Sequence, residues 1–517
     1  MIGCCNELNA GYAADGYARV AGFSMVVVTY MVGGLSVINA AAGAYSDDLS
    51  MLVLSGGPNS HDAAARHLVH HTIGEEDLYQ AARCFEPVVR KVFVIRGLRE
   101  APRMIDEALT ISLQEKKPVY LEIACDLAAA KIPAPVARAR PPVAPRSDPR
   151  SLAAAVKAAL VLVEKSVNPV LVAGVKLRSG AAGPAFRALA DALGCAAAVM
   201  PDAKGLFPES HPGFIGTYWG EISSPHCATI VESSDCRIFA GPIFNDYTTM
   251  GWTAGLERKA SIFAGPRGVE VGGRSFSNVQ LSDFLNQLAS RAQKNDNSLL
   301  EYKRASSHSA PAASIRRGAK VPLSSGELRR QVQELLDADT HLVVETGGSW
   351  FDGQKMSLPE GAVYHVQMQY GSIGWAAGAT LGVSLAAGPK KRVVALIGDG
   401  SFQVAAQEIS TMIRFAMNPI IFLINNRGYT IEVEIHDGPY NKIKNWDYAR
   451  LVEVFNAGEG RGLGLKAATG GELASAIGRA RRHDGLVLIE CVLDRDDCAN
   501  ELRRWGRRVA AANARRA

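Results

Sequence analysis

The chain lacks a strong charge of either sign, a metal-type cysteine spacing and a basic, apolar leader. Its 56 lysines and arginines stand against 51 aspartates and glutamates, a net +5 over 517 residues, which is too weak a field to imply a nucleic-acid partner. Nine cysteines are scattered from Cys4 to Cys498, odd in number and without ligand spacing, so they read as mostly buried thiols in a reducing compartment. Cys4-Cys5 are adjacent, and sequence neighbours rarely bridge. Glu7 stands early with no basic segment before it, which argues against a signal peptide. The uncharged run 22–46 is long enough to span a bilayer, but Thr29, Gly33-Gly34, Ser36 and Asn39 suit a buried strand, a glycine turn and a helix better. No short-period repeat is visible. A soluble, cytoplasmic protein with no membrane partner is expected.

What is present is ordinary globular composition, 48% hydrophobic and 21% charged, on a chain too long for one core. Three α/β units are expected. The first, residues 1–131, reads as a helix at 7–20, a strand at 25–30, a helix at 35–45, and strands at 51–55 and 118–123. Residues 132–150 hold six prolines, a linker composition. The second unit, 150–290, has strands at 169–173, 196–200, 237–240 and 260–264 and a helix at 183–193. It shows no phosphate loop, so it reads as a spacer or regulatory domain. A polar stretch, 291–321, forms the second linker, and the third unit covers 322–517. The basic cluster 503–516 reads as the last turns of a helix whose cations complement its dipole.

The chemistry gathers between Gly398 and Gly428. An apolar run, 392–397, breaks into Gly398-Asp399-Gly400-Ser401. A helix follows at 402–416, a breaker at Asn418-Pro419, and an apolar run at 420–424 that ends in Asn425-Asn426-Arg427-Gly428. This is a strand, crossover helix and parallel strand with a polar cluster at each carboxyl end, the edge at which open α/β sheets bind ligands. Asp399 offers a carboxylate, Asn426 an amide carbonyl and Gly428 a backbone carbonyl. Three oxygens with one carboxylate suit magnesium, which completes its shell with water and substrate phosphates. Gly400 and Ser401 would open the helix and turn its free N–H groups toward a phosphate. Either cluster alone reads better as an ordinary turn or a helix cap; their spacing on matched strand ends reverses that and favours the site.

These motifs resemble the thiamine-diphosphate-dependent enzymes, whose diphosphate motif begins Gly-Asp-Gly and ends Asn-Asn. The segments 428–432, 435–441 and 443–448 resemble more narrowly the pyruvate decarboxylase family of 2-oxo acid decarboxylases. The resemblance implies three doubly wound parallel-sheet domains: pyrimidine-binding (1–131), central (150–290) and diphosphate-binding (322–517). It implies thiamine diphosphate and Mg2+ bound between the first domain of one subunit and the third of another, in a dimer or tetramer. Glu7 would drive the aminopyrimidine to its imino form. The Gly371 carbonyl would receive the ring amino group and Ile373 would wedge the cofactor bent, with Thr346 nearby. Gly398, Asp399, Gly400, Ser401 and Asn426 would hold the diphosphate, with Asp399, Asn426 and Gly428 on the metal.

His70, His71 and Glu432 would converge over the thiazolium and handle protons after carbon dioxide leaves. Glu432, flanked by Ile431, Val433 and Ile435, is expected to be partly desolvated with a raised pKa. Tyr247, Trp350, Ile431 and Ile435 would line a pocket sized for a methyl group. The implied activity is conversion of pyruvate to acetaldehyde and carbon dioxide through a thiamine diphosphate ylide. Indolepyruvate or phenylpyruvate decarboxylation, a carboligating acetolactate synthase, and an inactive paralogue with an interaction role are the alternatives. The pattern departs at Gly348, where an acidic residue is expected, which bears on diphosphate affinity or loop order. The family's first domain also opens with a strand, helix and strand, about forty residues, ahead of the glutamate. The first domain is therefore expected to be N-terminally truncated, with Met1 internal to a longer gene, and the chain to bind cofactor poorly and turn over slowly.

Overall fold

Short apolar runs alternate with helices along the chain, and in the computed structural model they assemble into three separate sheets. The structure describes residues 1–132, 145–254, 257–307 and 320–514. The first sheet is all parallel, with β1 (Ser24–Val28), β2 (Met51–Gly57), β3 (Val92–Ile95) and β4 (Val119–Ala124) in the order β1-β2-β4-β3. The sequence reading missed β3, whose four residues are too few to set a period against the helices on either side.

The central sheet holds β5 (Pro169–Ala173), β6 (Ala196–Val199), β7 (Phe214–Thr217), β8 (Cys236–Ala240), β9 (Ser261–Gly265), β10 (Gly268–Val271) and β11 (Arg274–Ser277), in the order β11-β10-β9-β8-β5-β6-β7. It is not wholly parallel as expected: β10 runs antiparallel to both β9 and β11. The reason is connection length. Two residues, 266–267 and 272–273, join these strands, and a parallel crossover needs a dozen or more.

The third sheet is all parallel: β12 (Thr340–Val344), β13 (Val363–Val366), β14 (Arg392–Gly398), β15 (Ile420–Asn425), β16 (Leu463–Ala467) and β17 (Val487–Val492), in the order β13-β12-β14-β15-β17-β16. The chain leaves β12 toward one edge and β14 toward the other. The reversal therefore falls between their carboxyl ends, where open α/β sheets place ligands.

Seven helices position the functional residues: α1 (Glu7–Ala21), α2 (Val32–Ser46), α3 (Trp375–Ala387), α4 (Asp399–Ala405), α5 (Glu408–Arg414), α6 (Thr430–Ile435) and α7 (Asn500–Asn513). The single crossover helix expected at 402–416 is two helices, the first of which begins at Asp399 itself. Helix α1 starts at an Asn6 cap that accepts the Asn9 N–H and ends at Gly22 in the left-handed region. It packs directly on α3 of the third unit. A Cβ on Gly16 would collide with the Ala379 carbonyl, and one on Gly382 with that of Ala13, so the small residues let two backbones touch.

The linkers come out differently from their composition. Most of 132–150 lies outside the described residues, and a helix begins at Pro149. The second linker contains the helix Asn297–Ser307. The basic cluster also needs correction within the described residues: Arg503, Arg504, Arg507 and Arg508 lie in the first turns of α7 and its last turn carries no basic residue, while Arg515 and Arg516 lie outside the described residues. Arg503 pairs with Glu434 and Arg508 with Glu221, so the cations dock α7 rather than offset its dipole. No described helix is long and apolar enough to cross a membrane.

All three units meet at a buried charge cluster. Arg19 of α1 pairs with Asp15 at 2.6 Å and with Asp47, and donates to the Val366 carbonyl, while the Trp375 indole donates to Asp15 at 2.9 Å. Arg178 and Asp202 of the central unit face the same charges. Asp202 is 4% exposed and neither of its oxygens has a protein hydrogen-bond partner. Burial, helped by the Asp47 charge, pushes its carboxyl up from 3.8 to about 7. Between those values the folded state keeps a proton that the unfolded chain has released, so this group makes stability fall as pH rises through that window. Asp202→Asn is expected to flatten the fall of melting temperature between about pH 5 and pH 7.5. A variant with the parent's slope removes Asp202 as its source.

Candidate cofactor and substrate site

The cleft at the switch point is built from the ends of three adjacent strands. Thr346, Gly347 and Ser349 follow β12, Asp399–Ser401 follow β14, and Asn426, Gly428 and Ile431 follow β15. Parallel pairing of β14 with β15 sets Gly398 opposite Ile424 and so brings the two polar clusters to one edge. Asp399 is 1% exposed. Its carboxylate accepts the Gly400 N–H at 2.8 Å and the Arg427 N–H at 2.7 Å, which fixes its direction. Burial nevertheless pushes its pKa up to about 6, against these bonds.

Beside it, Asn426 lines the same cleft, and its amide nitrogen donates to the Thr430 hydroxyl at 2.5 Å. Gly428 has φ 151°, and a Cβ there would collide with the Asn441 carbonyl. Only glycine fits this turn. The set is one carboxylate, one amide oxygen and one backbone carbonyl. Among the described residues no three His, Cys, Asp or Glu side chains cluster as a metal site, and a cation that shares its shell with a diphosphate does not need such a cluster.

The Gly371–Gly374 turn lies between β13 and α3 with both glycines left-handed, φ 66° and 86°. Ile373 at its tip is 37% exposed, an apolar side chain held out from the turn. Residues that the sequence reading missed support it. Glu345, fully buried at the end of β12, accepts the Thr346 N–H at 2.9 Å and the Ala376 N–H at 3.0 Å, and burial pushes its carboxyl up to about 7. The Gln367 side chain accepts the Ser372 N–H at 3.0 Å. From the first unit, Asn39 donates to the Ser372 hydroxyl at 3.1 Å, and Tyr12 shares a 2.5 Å hydrogen bond with it. The buried charge on Glu345 is visible in sequence only as an acid after an apolar run, with nothing to mark its partners.

Of the four expected pocket residues, Ile431 lines the cleft and the other three do not. Tyr247 meets Trp350 edge-on at 6.0 Å between ring centroids, and Ile431 and Ile435 pack on the same apolar cluster. Trp505 of α7, which the sequence reading missed, packs on the same aromatic pair, 4.8 Å from Tyr247. Its place in a distant arginine-rich helix gave no sign of this. A side chain at Gly348 would meet only Leu502 at ordinary contact distance, so what the departure there costs is a charge, not space.

The proton-handling groups are not gathered. Glu432 is exposed on α6 rather than partly desolvated as expected, because Ile431 and Ile435 take the buried face of that single-turn helix and Glu432 falls on the other. It lies near enough to raise the Tyr247 hydroxyl's pKa, after burial and Asp246. His70 and His71 sit in an exposed loop of the first unit with their rings 4.6 Å apart. Glu7 is half-buried at the first turn of α1, where a Cβ on Gly33 would be 3.4 Å from its Cγ. Neither Glu7 nor the two histidines lines the cleft, whose walls come from the third unit alone.

Three strand ends carrying a buried carboxylate, an amide and a glycine turn beside a buttressed glycine clamp define a thiamine diphosphate-dependent enzyme. Comparison with known families agrees over all three units. Residues 1–81 match the thiamine pyrophosphate enzyme N-terminal TPP binding domain, 156–287 the central domain and 349–491 the C-terminal TPP binding domain. Pyruvate decarboxylase 2 of Oryza sativa subsp. indica is 51% identical over 523 residues, covering 100% of this chain and 85% of its own. Pyruvate decarboxylase 4 of Arabidopsis thaliana is 50% identical over 99% of this chain and 86% of its own, and pyruvate decarboxylase 1 of Pisum sativum 49% over 100% and 87%. The chain belongs to the pyruvate decarboxylase family.

Proposed function

We propose that the protein decarboxylates pyruvate to acetaldehyde and carbon dioxide, with Mg2+ held by Asp399, Asn426 and the Gly428 carbonyl against the diphosphate of thiamine diphosphate. The observation that carries this is the placement of Asp399 and Asn426 on adjacent parallel strand ends at the switch point. When bound, the cofactor supplies the electron sink for the departing carbon dioxide. The chain's part is to orient and to move protons. Gly371 offers its carbonyl to the ring amino group, Ile373 supplies bulk without competing for a proton, and Glu7 accepts and returns a proton at the pyrimidine ring. His70, His71 and Glu432 supply the proton that completes the aldehyde. The third-unit cleft lacks these first-unit groups, which favours a second copy of the chain as the source of Glu7 and the histidines, in a cytoplasmic dimer or tetramer.

The bulk of Tyr247, Trp350, Ile431 and Ile435, if they line the substrate space, favours a methyl-sized substrate over an indole or phenyl one. Ile431→Ala and Ile435→Ala are expected to raise turnover of four- and five-carbon 2-oxo acids relative to pyruvate by about tenfold, the order of one or two methylenes in an apolar pocket. Comparison of kcat/KM across a chain-length series checks this. A parent enzyme that already prefers phenylpyruvate or indolepyruvate contradicts the pocket assignment.

A further inference from the structure

The two ends of the Gly371–Gly374 turn are held by different units. At Gly374 the third unit holds it: Glu345 accepts the Ala376 N–H at 3.0 Å, and a Cβ on Gly374 would lie 2.8 Å from the Val404 side chain of α4. At Gly371 the first unit of the same chain takes over. Asn39 of α2 accepts the Tyr370 hydroxyl at 2.7 Å and donates to the Ser372 hydroxyl at 3.1 Å, so one side chain holds the residues on both sides of Gly371. The same amide nitrogen donates to the Tyr12 hydroxyl at 3.0 Å, and Tyr12 shares the 2.5 Å hydrogen bond with Ser372. Tyr12 is 1% exposed, and burial pushes its phenol up to about 12, so the hydroxyl keeps its proton at neutral pH.

These bonds bear on one carbonyl. The Gly371 C=O and the Ser372 N–H belong to a single trans peptide and point opposite ways. The N–H donates to the Gln367 side chain at 3.0 Å, which turns the carbonyl outward, where it has no hydrogen-bond partner among the described residues. The left-handed φ of Gly371, 66°, lets that plane pivot at little cost unless its flanks are fixed. The first unit's helices come close enough to fix them. A Cβ on Gly378 would lie 2.6 Å from that of Tyr12, and a Cβ on Gly43 of α2 would lie 2.6 Å from the Gln367 amide nitrogen, so glycine on each side makes room for the contact.

We propose that Asn39 and Tyr12 are positioning residues for the clamp of their own chain: acting through Tyr370 and Ser372, they set the direction of the Gly371 carbonyl that receives the ring amino group. The inference rests on the thiamine diphosphate reading and deepens it. Two variants remove the hydrogen bonds with little change of volume, Tyr12→Phe and Asn39→Leu, and Tyr12→Phe keeps the packed ring. Calorimetry is expected to show cofactor affinity within about tenfold of the parent for both, the worth of one hydrogen bond. At saturating cofactor, NMR should show exchange of the thiazolium proton slowed about tenfold in Tyr12→Phe and about a hundredfold in Asn39→Leu, the cost of a misaimed group remote from the chemistry. In a Ser372→Ala background, Tyr12→Phe should change exchange by less than about twofold, because the group it acts through is gone. A role in folding alone would lower the melting temperature and leave exchange in the saturated, folded protein unmoved. Exchange at the parent's rate in Tyr12→Phe, or a Tyr12→Phe effect undiminished by Ser372→Ala, would overturn the inference. A parent that binds no thiamine diphosphate would overturn the cofactor reading with it, whereas a parent that binds and exchanges normally beside unmoved variants would overturn this inference alone.

Discussion

Asp399→Ala is expected to abolish retention of thiamine diphosphate while leaving the fold intact. The carboxylate is the only charged group in the proposed metal set, and it is buried where its attraction for a cation is weakly screened. Losing it should weaken metal-dependent cofactor binding by more than about a hundredfold, above the range for residues that merely support a metal ligand. The local cost is small, because the Gly400 and Arg427 N–H groups lose an acceptor at about 1–3 kcal/mol, while β14 and β15 stay paired through their backbones. Titration calorimetry with magnesium present, alongside thermal melting, checks both halves. Equal cofactor binding by variant and parent would withdraw Asp399 from the site.

Glu7→Gln should separate binding from proton transfer. The amide keeps the size of the side chain beside Gly33 but cannot accept a proton, so the cofactor should still bind while exchange of its thiazolium proton slows by about 10²–10⁴-fold. NMR detection of deuterium exchange at saturating cofactor measures this without any substrate. Exchange at the parent's rate would take Glu7 out of the mechanism.

Much of this site is legible in the residue order because its chemistry is local. Asp399 and Asn426 mark the ends of two apolar runs, and parallel pairing does the rest. Strands β5, β14 and β15 and helix α1 follow from periodicity and caps within a residue or two. What stayed hidden depends on tertiary placement. Trp505 meets Tyr247 because α7 packs on α6, where Gly506 lets it approach the Glu434 carbonyl. The exposure of Glu432 turns on which face of one helical turn is buried, and its apolar neighbours in sequence misled. The antiparallel edge of the central sheet was signalled by its two-residue turns, with Gly272-Gly273 at one of them, and the strand pattern alone gave no direction.

The most direct test of the account is acetaldehyde formation from pyruvate by enzyme whose bound thiamine diphosphate has been quantified. The account predicts acetaldehyde and carbon dioxide in equal amounts, dependent on both cofactor and magnesium, and absent in Asp399→Ala. Enzyme that carries a full complement of cofactor yet makes no more acetaldehyde from pyruvate than Asp399→Ala does would contradict it.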